Sequence, residues 1–306
     1  MARERLYAHI GRERAIAVNQ YVDRTSLLAD LRRIGIRPGD DLIVHASYKS
    51  IGNVAGGPNA VASALVDAVG TTGHLMMPTF TYSAPIFNEE PFDCKSTPSR
   101  TGVISEMLRR RSEARRSFHP THSFVVIGKH AEELTNRHLD YAPLGVGSPL
   151  ARMADRNAKI LLVGTGQTSN SSVHYGESYA NAPYLHVPYS NHGQATESAW
   201  FADERGETAV IELKEMPGCS SGFSDLDAKL LHGGVASLAY LGNATCQLMY
   251  SQQLREFIRV ELTERMDSLL CSREECRICS KRRSYLLNGI ACDRHEAADS
   301  MPSIVI

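Results

Sequence analysis

The stretch KILLVGTGQTSNSSVHYGES, residues 159–178, decides the fold class. Lys159 to Gly164 is an apolar run closed by a glycine, the pattern of a strand buried on both faces. A loop of Thr, Ser and Asn follows, and the chain then enters a helix carrying His174 and Glu177. The same order recurs upstream. Leu42-Ile43-Val44, fed by an acidic turn, reads as a buried strand. After the loop SIGNVAGGP, Val61, Leu65 and Val69 recur four apart as a helical stripe, with Pro58 suited to its first turn. Gly70 to Gly73 turns the chain into a second strand, His74 to Met77. SFVVIG is a further strand and KHAEELTNRH a further helix. Near the start, Thr25 or Ser26 is expected to cap LLADLRRIG, which stops at Gly35.

This alternation predicts an α/β protein with a central, mostly parallel sheet flanked by helices. From about Val187 to Val210 the pattern turns hairpin-like, a β-rich insertion. SQQLREFIRVELTERMDSLL closes the domain as a helix with Leu254, Phe257, Ile258 and Leu262 on one side. The expected organisation is an N-terminal arm or helix over 1–24, one domain over 25–264, and a cysteine-rich tail over 265–306.

Composition narrows the class. With 306 residues the chain can bury a large core without disulfides. A formal charge of −1 selects neither nucleic acid nor an anionic membrane. No apolar run is long enough to span a bilayer, and the charged start lacks the apolar core of a secretory signal. Of seven cysteines only Cys94 lies in the first 200 residues, so a reducing cytoplasm is the expected setting. A homodimer is compatible with the sequence.

Three segments join a strand end to a tight, polar turn, where open α/β sheets bind ligands. They are His45 to Gly52 with Gly56-Gly57-Pro58, His119-Pro120-Thr121-His122-Ser123, and Gly164-Thr165-Gly166 leading to His174-Tyr175-Gly176-Glu177. VHASYKSIGNVAGGPNAVASALVDAVGTTGHLMMPTF resembles the N-terminal signature of the aminoglycoside 3-N-acetyltransferase family. FHPTHSFVVIG, GSPLARM, KILLVGTGQTSNSSVHYGES and GNATCQLMYSQQLREFI follow in that family's order, so the resemblance covers roughly residues 25 to 262. It implies acyl transfer from a CoA thioester, acetyl-CoA or another acyl-CoA, to a small-molecule amine in a ternary complex without an acyl-enzyme.

That chemistry needs a base, because an aliphatic amine is mostly ammonium at neutral pH and attacks only when unprotonated. His174 and Glu177, three apart, share a helix face, and the resemblance carries the family's acceptor-site histidine and glutamate onto them. His174 is therefore assigned as general base, with Glu177 orienting it or holding the acceptor. Gly176 between them weakens a helix by ~1 kcal/mol, which predicts a late helix start. On spacing alone the pair also fits a solvated helix face. The resemblance places CoA along Ser47, Lys49, Ile51 and Gly52, along Arg100, Thr101 and Gly102, and near Ser123. Glycines in such loops also commonly do no more than shape a turn. His45 and His122 are candidates for contact with the acceptor, and Asp227, next to Asp225, for holding its amines. His119, followed by Pro120, reads as a turn residue. An acceptor unrelated to antibiotics, or CoA binding without turnover, is the alternative.

The tail departs from the family. Cys276-x2-Cys279 and Cys292-x2-His295, twelve residues apart, have the spacing of a zinc knuckle and leave Cys271 over. An iron–sulfur cluster, reversible disulfides or plain thiols fit the same cysteines. Basic neighbours suggest nucleic acid, but the segment lacks an aromatic platform, so no nucleic-acid partner is expected.

Overall fold

The computed structural model describes residues 22–82, 91–187, 197–203, 205–213 and 215–298, without the side chains of 197 and 289–298. Helix α1 (Arg24–Ile34) opens it. Its cap is Asp23 rather than Thr25 or Ser26: Asp23 Oδ1 accepts from the Ser26 N–H at 2.7 Å, and Ser26 Oγ accepts from the Asp23 N–H at 2.9 Å. This reciprocal capping box places Ser26 one turn inside the helix.

Strand β1 (Asp41–Ala46) leads through the short helix α2 (Tyr48–Ile51) and helix α3 (Gly57–Val69) to β2 (His74–Pro78). Helix α4 (Val103–Arg109), β3 (Arg115–Arg116), β4 (Phe124–Ile127), α5 (Ala131–Thr135) and α6 (Pro149–Asp155) precede β5 (Lys159–Val163). Helix α7 (Ser171–Tyr179) follows, then a separate hairpin of β6 (Glu197–Ala202) and β7 (Thr208–Leu213). Helix α8 (Leu226–His232), β8 (Ala236–Leu241), β9 (Ala244–Tyr250), α9 (Ser251–Glu264) and α10 (Arg277–Ala298) complete the order.

The seven strands of the main sheet run β3-β4-β2-β1-β5-β9-β8. The α/β architecture is as expected, but the sheet is mixed. Only β1–β2 and β1–β5 pair in parallel; β2–β4, β3–β4, β5–β9 and β8–β9 are antiparallel. Helix α3 supplies the crossover that parallel β1 and β2 require, whereas β8 and β9 turn directly at Gly242-Asn243.

Alternation along the central strands explains their unbroken apolar runs. Leu42, Val44, Leu161 and Val163 face one core with α1, α3 and α4, while Ile43, Ile160 and Leu162 face the other with α6, α7 and α9. Both faces are dry, so both parities are apolar. Each such side chain contributes about 1.5–3 kcal/mol by leaving water.

The β-rich insertion is the β6–β7 hairpin, tied to the main body by a bridge between Phe92 and Phe201; residues 188–196 lie outside the described residues, as does 1–21 of the N-terminal arm. The tail is continuous with the core. Leu269, Leu270, Cys271, Ile278 and Cys279 pack into the same cluster as Ile258 and Tyr184. Among the described residues no helix is long and apolar enough to cross a membrane.

Candidate active site

The carboxyl ends of the three parallel strands open onto a cavity of about 650 Å³. Strand β1 gives it His45, Ala46 and, one residue on, Ser47; β2 gives Met77 and Pro78; the loop after β5 gives Thr165 and Thr168 to Ser171. Because β1 is flanked by β2 on one side and β5 on the other, the strand order reverses here and the connections diverge, leaving a crevice. Gly164 makes the turn out of β5 at φ +61°, where a Cβ would lie 1.7 Å from Ser50 Oγ, so the loop needs glycine to pass α2.

Asn170 then caps α7, its side chain accepting from the Ser172 N–H at 3.0 Å and donating to Gln167 Oε1 at 2.9 Å. The helix is formed well before His174, contrary to the late start expected from Gly176. At Gly176 a Cβ would meet Ile258 side-chain carbons at 2.9–3.0 Å, so the glycine lets α7 close against α9. Tertiary contact here outweighs the propensity cost.

His174 lines the cavity with its Nδ1 2.7 Å from Glu177 Oε2. The other carboxylate oxygen accepts from Tyr184 Oη–H at 2.6 Å, and Phe223 packs edge-on to the imidazole at 4.7 Å between centroids. Glu177 is only 2% exposed, so its charge is met by these partners and not by water. Burial, and next the Glu177 charge, push the Tyr184 phenol well above its ordinary pKa, keeping it a donor. With Nδ1–H given to the carboxylate, Nε2 is the ring nitrogen left to accept a proton.

His45 and His122 share the cavity. Burial lowers His45 to about 4, and its Nε2 has no partner among the described residues. His122 is lowered to about 3, by burial first and then by His174 and His138; its Nδ1 meets Thr121 Oγ1 at 2.8 Å. Both are neutral at pH 7 and offer hydrogen bonds rather than charge. Arg100, Thr101 and Gly102 also line the cavity, Thr101 Oγ1 donating to the Pro78 carbonyl at 2.5 Å.

Several expected residues lie elsewhere. Ile51 is fully buried in the core beneath α2 and cannot touch a ligand in the cavity. Gly52 turns the chain at φ +102° against Asn243, and Lys49 is exposed beyond the lining residues. Ser123 is buried, donating to the Thr79 carbonyl at 2.9 Å and accepting from Arg116 Nε at 2.9 Å. Asp227 is also buried: its Oδ1 accepts from Gln247 Nε2 at 2.6 Å and from the Gln167 N–H at 3.2 Å, bracing the loop before α7. Asp227 thus steadies the site from behind. His119 Nδ1 accepts from the N–H of His122 at 3.1 Å, a turn as read.

Sequence reading missed the aromatic and loop walls, Phe80, Tyr82 and Met216 to Gly218, and missed Tyr184. None carries a local motif, and Tyr184 reaches Glu177 only because the chain doubles back after α7. The sulfur atoms of Cys276 and Cys279 meet those of Cys219 and Cys271, all within 4.8 Å of one another. The expected partners Cys292 and His295 have side chains outside the described residues. Their backbone sits in the continuous α10, where Cys292 follows Cys279 by about 20 Å of axial rise, so the two pairs do not converge.

The family described as aminoglycoside 3-N-acetyltransferase matches residues 43–263. An aminoglycoside N(3)-acetyltransferase III of Serratia marcescens is 38% identical over 174 residues, 52% of this chain and 65% of that relative. One of Enterobacter cloacae is 30% identical over 255 residues, 76% of this chain and 89% of that relative. The crystal structure of the AAC(3)-IVa apoenzyme has a TM-score of 0.75 at 26% identity, covering 88% of this chain and 99% of that one. AAC-IIIb in binary complex with CoASH has a TM-score of 0.67 at 26% identity, covering 80% and 98%. With the sheet, the cavity and this match over most of its length, the chain belongs to the aminoglycoside 3-N-acetyltransferase family.

Proposed function

We propose that this chain transfers an acetyl group from acetyl-CoA to an amine of an aminoglycoside-like acceptor, in one ternary complex, with His174 as general base. The observation that carries the reading is the buried relay Tyr184–Glu177–His174 ending in the cavity at the strand ends. His174 Nε2 takes the proton from the acceptor ammonium or from the attacking amine. Glu177 stabilises the imidazolium that results, and Tyr184 holds the carboxylate in place. The acceptor nitrogen bonds to the thioester carbonyl carbon, the carbon–sulfur bond breaks, and CoA leaves with the electron pair.

Support for the donor side comes from the cavity itself. Ser47, Arg100, Thr101 and Gly102 offer hydroxyl, guanidinium and backbone groups to the phosphates and pantetheine of CoA, and AAC-IIIb is crystallised with CoASH. For the acceptor side, a small pocket containing His174, Glu177 and Glu215 adjoins a second cavity of about 640 Å³ lined by Glu212 and Glu215. Carboxylates along that path suit an acceptor with several ammonium groups better than a biosynthetic amine with a single one. An AAC(3)-IVa variant with a histidine replaced by alanine is crystallised with a gentamicin and with apramycin.

The experiment is a free-thiol assay with acetyl-CoA and a panel of aminoglycosides and simple amines. Thiol release with an aminoglycoside, and a product heavier by one acetyl group, is expected. Release only with simple amines moves the acceptor to a biosynthetic class, and no release with any amine overturns the enzyme reading.

A further inference from the structure

We infer that Cys219, Cys271, Cys276 and Cys279 form a structural zinc site that fastens the C-terminal helix to the wall of the active-site cavity. Three separate parts of the chain supply the sulfurs. Cys219 lies in the loop after β7, Cys271 in the turns after α9, and Cys276 and Cys279 at the start of α10. Their four sulfur atoms lie within 4.8 Å of one another, and Cys219 Sγ is 3.8 Å from Cys271 Sγ. A tetrahedral site with Zn–S bonds of about 2.3 Å has sulfur–sulfur edges of about 3.8 Å. The geometry points to a metal tetrathiolate. A disulfide has its sulfurs about 2.05 Å apart.

The surroundings fit. Cys271 and Cys279 are buried, while Cys219 and Cys276 are partly covered. The Ser221 N–H points at Cys219 Sγ at 3.3 Å, and Arg273 Nη2 approaches it at 4.0 Å, donors that offset thiolate charge. Arg283 Nη2 holds the Leu270 and Cys271 carbonyls at 3.2 Å each, fixing the turn that presents Cys271. Zinc binding replaces the four thiol protons and leaves a closed, four-coordinate site with no open position for substrate. Its role is therefore mechanical.

That role reaches the relay. Met216, Pro217, Gly218 and Ser220, flanking Cys219, line the cavity. Three residues after Cys279, Arg282 is 2% exposed and sits 5.5 Å from the centroid of the Tyr184 ring. A Cβ on Gly218 would lie 2.2 Å from Arg282 Nη1, so the guanidinium is wedged between the cavity wall and the tyrosine that holds Glu177. Anchoring the start of α10 anchors this wedge.

The test is independent of turnover. Protein purified without chelator is assayed for metal by mass spectrometry, and zinc release is followed with a chromophoric chelator as thiols are blocked. Close to one zinc per chain is expected, with thiolate-to-metal charge transfer on cobalt(II) substitution and a lowered melting temperature after zinc removal that zinc restores. Cys276→Ser should lose the metal, and Cys94→Ser, outside the cluster, should keep it. If Cys276→Ser does not fold, the cobalt spectrum and the zinc content of the native protein still decide. Native protein that binds neither metal after zinc supplementation, or whose mass shows disulfides among these four residues, overturns the inference.

Discussion

Replacing Glu177 by glutamine removes the charge of the relay and one of its two acceptors. The amide is nearly isosteric, but if its oxygen accepts from Tyr184 Oη–H, which now lies 2.6 Å from Oε1, its NH2 group faces His174 Nδ1 and the imidazole loses the acceptor that fixes its tautomer. Also lost is the negative charge whose other oxygen lies 2.7 Å from His174 Nδ1. A general base begins neutral, and a neutral imidazole gains little from that charge. As the proton moves onto Nε2 the ring becomes cationic, so the interaction is stronger in the transition state and acts on kcat. With charge centres about 4 Å apart and an effective dielectric near 20, a full unit charge is worth about 4 kcal/mol. A proton about half transferred realises about 2 kcal/mol, so the charge alone should lower kcat about 30-fold, and the lost acceptor at Nδ1 should lower it further. The KM for acetyl-CoA should stay within about twofold, because that binding does not change between ground and transition state. The assay is CoA thiol release at saturating acceptor, with circular dichroism and melting temperature to show that the variant is folded. A folded Glu177→Gln enzyme with kcat within about threefold of the parent would refute the relay.

Tyr184→Phe leaves Glu177 Oε1 without its donor inside a buried site; it should cost about 1.5–3 kcal/mol of stability by thermal or urea unfolding and lower kcat less than Glu177→Gln does. Gly176→Val places carbon where Ile258 already stands 2.9 Å away and should destabilise the protein by about 2–3 kcal/mol by urea denaturation. Ile51→Val should cost about 0.5–1.5 kcal/mol of stability while leaving the acetyl-CoA KM unchanged, since Ile51 belongs to the core. Burial holds His45 and His138 at about 4 and His122 at about 3, below the unfolded value of about 6.5, so the unfolded chain binds more protons between these limits. Their contribution to stability is fully present above pH ~6.5 and is lost as pH falls toward ~4, by up to about 2 kcal/mol per histidine at pH ~5. Unfolding followed by urea from pH ~7 to ~5 should show this loss, and a flat profile there would contradict the burial of these imidazoles.

The centre of the fold was legible because its signal is local. KILLV and LIV are apolar at both parities, which two dry sheet faces require, and the glycine and polar turn after each strand mark the crevice. Strand direction at the flanks was not legible. FVVI in β4 is buried on both faces whichever way it runs, and its antiparallel pairing with β2 follows from a long, winding connection that carries no pattern. Of the loop expected to hold CoA, Ser47 lines the cavity, Ile51 lies in the core and Gly52 turns against Asn243. Ser47 precedes α2 as its extended N-cap and lines the cavity, whereas Ile51, within the helix, points into the core. Asp227 suggested an acceptor contact by charge, yet Gln247 and Gln167, far away in sequence, had already claimed it. The cysteines show the same limit. The Cys276–Cys279 pair was readable from spacing, but Cys219 joins it across 57 residues and only the fold reveals it.

In the proposed reaction His174 Nε2 removes the acceptor proton. The direct measurement is His174→Ala in the thiol-release assay with acetyl-CoA and an aminoglycoside, beside calorimetric titration of CoA into the same variant. Loss of a positioned base predicts a fall in kcat of about 10²–10⁴-fold with the Kd for CoA essentially unchanged. Near-normal turnover by a folded His174→Ala protein that still binds CoA would contradict it.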